Sequence, residues 1–148
     1  MPVDPYVKNP RHENFYVRKS AVGGRLVAVL RGRVPDRALE LIPQHSRAVR
    51  AGEVHELIAT DELGAAPGRT INSIAYLGFA EFSRGGVLMT GDELRIGGRL
   101  LGRLAGYDNT HMPNHMNIIV AMDAARSGDE LGLALDAPVV FAPPARAT

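Results

Sequence analysis

The sequence contains no cysteine and no tryptophan. Without thiols there are no disulfide staples, no thiolate metal sites and no cysteine nucleophile. No apolar run approaches the roughly 18 residues of a membrane-spanning helix, so no membrane partner is expected. A dominant charge of one sign is also missing: 17 basic residues face 16 acidic ones, for a net charge of +1. A nucleic-acid-binding domain would carry a strongly basic face, so no nucleic-acid partner is expected. The phosphate loop, the dinucleotide fingerprint and the G-x-S-x-G elbow are absent, which removes the usual nucleotide enzymes and α/β hydrolases. The opening MPVDPYVKNPRHENF is polar and proline-bearing. It lacks the apolar stretch of a secretory leader, and a cytoplasmic protein is expected.

What is present is enough apolar material for a packed core: 45% of 148 residues. That length fits one domain. Pro2, Pro5 and Pro10 mark residues 1–14 as an extended arm, because proline fixes φ and donates no hydrogen bond. Residues 15–142 read as a single domain, and residues 143–148, with Pro143 and Pro144, as a flexible tail.

Strand signals dominate the domain. Arg25–Arg31 is a short apolar run bracketed by glycines, and Val54–Ala59 is another. Ile71–Phe82 is apolar on both faces, with Ile74, Tyr76 and Phe82 on one and Ala75, Leu77 and Phe79 on the other. A strand of that kind belongs in a closed barrel or a sandwich centre. Val87–Met89 follows the Gly85-Gly86 turn. Gly91–Leu104 reads as a hairpin whose Gly97-Gly98 turn needs positive φ. Met116–Met122, Leu131–Leu135 and Val139–Ala142 are further strands. Pro35–Ile42 is expected to form two helical turns, and Ala124–Arg126 a short one. The fold class is therefore mainly β: a small closed or partly open β-barrel of six to eight short strands with one or two short helices.

Chemistry concentrates in Gly106–Asn117, which packs two His, three Asn, an Asp, a Tyr and a Thr between two strands. A turn needs only one or two such residues, and loops on rigid scaffolds often carry function. Three readings stay open. Asp108, His111 and His115 could ligate a metal, although Pro113 interrupts a helical His-x-x-x-His face. His111 or His115 could act as general acid and base, oriented by Tyr107 or Asp108. The polar groups could instead serve only to cap the loop and satisfy its backbone. Outside the loop, His55 and Glu56 point oppositely on their strand and cannot pair with each other; His55 is a candidate ligand contact. Arginine outnumbers lysine fifteen to two. Arg69, just before the long strand, is the candidate for an anionic ligand.

The order Gly91-Asp92 … Ile96-Gly97-Gly98 … Gly106, then Asn114-His115-Met116-Asn117-Ile118-Ile119-Val120, resembles the C-terminal half of the glucitol/sorbitol-specific enzyme IIA of the sugar phosphotransferase system, over about residues 87–122. That resemblance implies a small β-barrel and places His115 at the family's Gly-His position. It also implies a non-catalytic phosphocarrier-like or interaction domain as an alternative function, with His45 and His55 the histidines upstream of the hairpin. The longer run Ala75–Phe79 … Tyr107–His115 resembles an uncharacterised family of small bacterial β-barrel domains. The expectation is a small-molecule-binding barrel, leaning to a non-redox isomerase, cyclase or lyase, with no cofactor. His111, His115, Asp108 and Tyr107 would be catalytic, and Asn114, Asn117, Thr110, Arg69 and His55 would contact the ligand at the barrel mouth. A homo-oligomer with the arm wrapped on a neighbour is a further expectation.

Overall fold

The computed structural model describes residues 18–145; the expected arm 1–14 and residues 146–148 of the tail lie outside them. Twelve strands are present among the described residues: β1 (Val22–Val29), β2 (Arg33–Val34), β3 (Leu39–Glu40), β4 (Ser46–Val49), β5 (Val54–Thr60), β6 (Thr70–Ile71), β7 (Ile74–Phe82), β8 (Gly86–Met89), β9 (Glu93–Ile96), β10 (Arg99–Asp108), β11 (Asn117–Ala121) and β12 (Pro138–Ala142). One short helix, α1 (Gly128–Leu131), precedes β12. No helix among the described residues is long and apolar enough to cross a membrane.

Seven strands close on themselves. Each is hydrogen-bonded to the next in the order β1-β12-β9-β10-β11-β5-β7, and β7 returns to β1. All these pairings are antiparallel except β5 with β11. Closure removes the open edges that an ordinary sheet must protect. The β9–β10 hairpin turns at Gly97 and Gly98 with φ of 60° and 79°, as their sequence requires.

Two apolar clusters explain why the central strands have no polar face. The larger takes residues from all seven ring strands, among them Leu26, Leu57, Leu77, Leu94, Ile118 and Phe141, and so fills the ring. The smaller takes Ile58, Ile74, Ala105 and Ile119 from four adjacent strands, covered by Leu39, Leu41 and Ile71. It therefore lies outside the ring, under the β3–β6 pair. Ile118, Ile119 and Val120 thus face in, out and in, and both directions are apolar.

Two bulges decide which residues face which way. On β7, Leu57 pairs with Gly78 and Ile58 with Tyr76, leaving Leu77 without a partner on β5. Strict alternation would put Phe79 inside with Leu77; the extra residue turns Phe79 outward and brings Ala80 and Phe82 into the ring. On β10, Leu104 pairs with Val120 and Gly106 with Ile119, leaving Ala105 unpaired. Tyr107 consequently points inward and Asp108 outward.

Some local expectations are corrected. Pro35–Ile42 is not helical: Leu39 and Leu41 are both buried at a spacing of two, β3 pairs with β6, and Ala38 has a φ of 54°. The helical turn expected at Ala124–Arg126 falls instead at Gly128–Leu131, and the strand expected at Leu131–Leu135 is not formed. Ser127 caps α1, accepting from the Glu130 N–H while the Glu130 carboxylate accepts from the Ser127 N–H. Gly132 ends the helix at φ 68°, ψ 31°.

Candidate functional site

Strand register places four side chains in one row on the outside of the ring. Asp108 on β10 is opposite Asn117 on β11, Asn117 is opposite Glu56 on β5, and Glu56 is opposite Phe79 on β7. The neighbours Leu57, Ile118, Ala80 and Tyr107 all belong to the interior cluster. The row borders the second core at the end where the 109–116 loop enters β11.

His115, the residue before Met116 in that loop, completes the row. Its Nε2 is 3.2 Å from Glu56 Oε1, and its Nδ1 is 2.8 Å from Asn114 Nδ2. With that amide donating, Nε2 carries the ring proton and donates it to the Glu56 carboxylate. Phe79 meets the His115 ring edge-on at a centroid separation of 5.0 Å, and the exposed His111 ring lies 5.0 Å from it on another side. Glu56 is only 7% exposed. Burial pushes its carboxyl above the ordinary carboxylate range, against the pull of the His115 hydrogen bond and of the charges on His115, His111 and Arg37.

The other members of the row are held by the fold. Asp108 Oδ1 accepts from the Thr110 N–H at 2.9 Å and from Asn117 Nδ2 at 3.1 Å. Asn117 is fully buried, and its Oδ1 has no hydrogen-bond partner among the described residues. The loop itself turns through Met112 N–H to Asn109 O and Asn114 N–H to His111 O.

The structure gathers His111, His115, Asn114 and Asn117 and keeps Asp108 close by, through Asn117. It separates the rest. Tyr107 faces away from His111 and His115: its side chain is fully buried inside the ring of strands and its hydroxyl donates to the His45 carbonyl at 3.3 Å. Asp108 does not do so either, since its contacts are Thr110 and Asn117; the carboxylate on His115 is Glu56. Thr110 contributes its backbone N–H, with an exposed side chain. Arg69 is exposed on the covering loop, where its carbonyl accepts from the Leu41 N–H. Its side chain shares no hydrogen bond or ion pair with the cluster among the described residues.

His55 faces the other way from Glu56, as strand alternation demands, and is 5% exposed. The Met116 N–H donates to its Nδ1 at 3.0 Å, so Nε2 carries the proton and donates to Glu53 Oε1 at 2.7 Å. It thereby pins the chain next to His115. The cluster lies on the outer face of the ring rather than at its mouth, because Glu56 alternates with the interior Leu57 on β5 and His115 reaches it from the loop before β11. No group of three or more His, Asp or Glu among the described residues is arranged to hold a metal ion; Asp108, His111 and His115 are not drawn together as ligands.

Glu56 is the residue that sequence reasoning missed. The available signal was an acidic side chain in an otherwise apolar strand, on the face opposite His55. Its partner, 59 residues away, comes from the parallel β5–β11 pairing, which leaves no local mark in the sequence.

Fold and site together define a mainly β protein, a closed ring of strands carrying a His–Glu cluster on its outer face. The chain belongs to the Family of unknown function (DUF6917), whose sequence profile matches residues 16–142. No curated protein and no solved structure matches it, so the resemblance to the phosphotransferase enzyme IIA gains no support there.

Proposed function

We propose that the protein is a small-molecule enzyme of the isomerase, cyclase or lyase kind, in which Glu56 and His115 move protons without a redox cofactor. One observation carries this reading: a carboxyl 7% exposed, with its Oε1 3.2 Å from His115 Nε2, beside the exposed His111 ring. A carboxyl raised by burial is a better base near neutral pH than an ordinary one. Glu56 would take a proton from the carbon beside a substrate carbonyl. The electron pair would pass to the carbonyl oxygen, to which an imidazole N–H of His111 would donate, while His115 holds the Glu56 carboxylate through its Nε2–H.

Deuterium wash-in tests this without knowledge of the substrate. The full chain is incubated in D₂O with a panel of small ketones, aldehydes, 2-oxoacids and hydroxy acids, and C–H to C–D exchange is followed by NMR. Protein-dependent exchange in at least one compound, abolished in Glu56→Gln and His115→Ala, is expected. Absence of exchange across the panel, or exchange that survives both substitutions, overturns the reading.

A further inference from the structure

His115 engages one oxygen of the Glu56 carboxyl, Oε1, and leaves Oε2 without a donor among the described residues. Asn117 stands directly opposite Glu56 in the parallel β5–β11 pairing, on the same outer face. Its amide has one orientation, because Nδ2 donates to Asp108 Oδ1 on β10 at 3.1 Å. The oxygen and nitrogen of an amide point apart, so with Nδ2 turned toward β10 the oxygen lies on the β5 side, toward Glu56. Asn117 is fully buried, and that oxygen has no hydrogen-bond donor among the described residues. Buried acceptors are almost always paired.

An ionised Glu56 cannot supply the donor, since a carboxylate only accepts. A protonated Glu56 can: its Oε2 hydroxyl donates to Asn117 Oδ1 while Oε1 still accepts from His115 Nε2. The row then reads as one chain of hydrogen bonds, from Asn114 through His115, Glu56 and Asn117 to Asp108. A hydrogen bond made only by the neutral form favours that form. The other charged or titratable groups around Glu56 are His115 and His111 on the loop, Arg37 on the segment over the outer core, and Asp108 one strand beyond Asn117; β7 presents Phe79. The histidines and Arg37 pull Glu56 toward the carboxylate, whereas burial opposes them. The Asn117 oxygen acts in the same direction as burial.

We propose that Asn117 is the positioning residue for the proton of Glu56: its Oδ1 accepts the hydrogen bond of the Glu56 carboxylic acid and so strengthens that carboxylate as a base. Its service in turnover rests on the reading of Glu56 as the base of the site. When the substrate C–H bond breaks, the proton forms the Oε2–H bond and the electron pair passes to the substrate carbonyl oxygen. Asn117 holds the acid so formed until the proton returns to carbon.

The test is an NMR pH titration of the isotope-labelled full chain that follows Glu56 Cδ and Asn117 Cγ together. In the parent, the Asn117 signal should move with the Glu56 midpoint. Glu56→Gln puts an amide donor in place of the acid at every pH. Asn117 Cγ should then stay near the parent's low-pH position, while His111, His115 and Asp108 remain to titrate as before. Asn117→Leu removes the acceptor and should lower the Glu56 midpoint by about half to one pH unit, the worth of one net hydrogen bond. The pH profile of deuterium exchange should move with it. An Asn117 signal that ignores the Glu56 midpoint, or that follows the parent's curve in Glu56→Gln, overturns the proposal. An unmoved Glu56 midpoint in folded Asn117→Leu does so too; if that variant does not fold, the comparison of parent with Glu56→Gln decides. Coupled Glu56 and Asn117 signals without deuterium exchange would remove the acid–base reading alone. Exchange without that coupling would remove this inference alone.

Discussion

Replacing Gly78 with alanine should damage both the fold and the site, because that glycine lies at the β7 bulge. A Cβ there would be 2.2 Å from the Ala28 carbonyl oxygen and 3.1 Å from Leu26 Cδ1. Ordinary C···O contacts start at about 3.3 Å, so the paired backbone of β1 would have to retreat by about 1 Å. The obstacle is backbone rather than a flexible side-chain end, which puts the strain at the upper part of the overpacking range, about 3 kcal/mol. For a domain of this size that is a fall in Tm of roughly 10 °C. Two glycines serve as controls. Gly98→Ala meets nothing within 4 Å but must hold a φ of +79°, for a penalty of about 1–2 kcal/mol. Gly64→Ala meets neither obstacle and should stay within about 0.5 kcal/mol of the parent. With no tryptophan in the chain, urea unfolding is best followed by far-UV circular dichroism. His115 ring resonances report on the Phe79 contact and should shift in Gly78→Ala only. A Gly78→Ala protein as stable as Gly98→Ala, with unmoved His115 signals, would refute the assignment of the bulge.

Glu56→Gln should flatten part of the pH dependence of stability. Because burial raises the Glu56 carboxyl above 4.5, the folded state keeps a proton that the unfolded chain has lost, so parent stability falls as pH rises from about 4.5 through the raised value. Equal slopes in parent and variant urea midpoints over that window would contradict this. Glu130 behaves oppositely: the Arg33 hydrogen bond, with help from the Ser127 N–H, holds it at about 2. Its support for the α1 cap is therefore present above about pH 4.5 and lost on acidification toward pH 2, an effect that added salt should weaken because the pair is exposed. Acid unfolding curves of Glu130→Gln that retain the parent's low-pH slope would exclude it. Tyr107→Phe should lower stability by about 1 kcal/mol through loss of the bond to the His45 carbonyl, while leaving deuterium exchange intact; loss of exchange would return Tyr107 to the site.

The sequence by itself determined the class of the fold and the loop in which polar side chains gather. Its short apolar runs, glycine turns and lack of long periodic segments specify strands, because period two and positive-φ turns are local properties. The Gly97–Gly98 hairpin and the both-face apolar β7 were legible for that reason. So was the concentration of polar groups in Gly106–Asn117, which does hold His111, His115 and Asn114. The Ser127–Glu130 capping box, which was not read from the sequence, outweighs the apolar alternation of Leu131–Leu135.

Tertiary structure alone decided which of these groups meet. The Glu56–His115 contact depends on a parallel pairing between strands far apart in sequence, and no local pattern encodes a non-local register. The outward placement of Asp108 and Phe79, and the inward placement of Tyr107, depend on single unpaired residues at Ala105 and Leu77. One extra residue reverses every side chain beyond it, so alternation read from sequence assigns those faces wrongly. The leucines of Pro35–Ile42 became a β cover because an outer apolar face was there to receive them. That face exists only once the ring has closed.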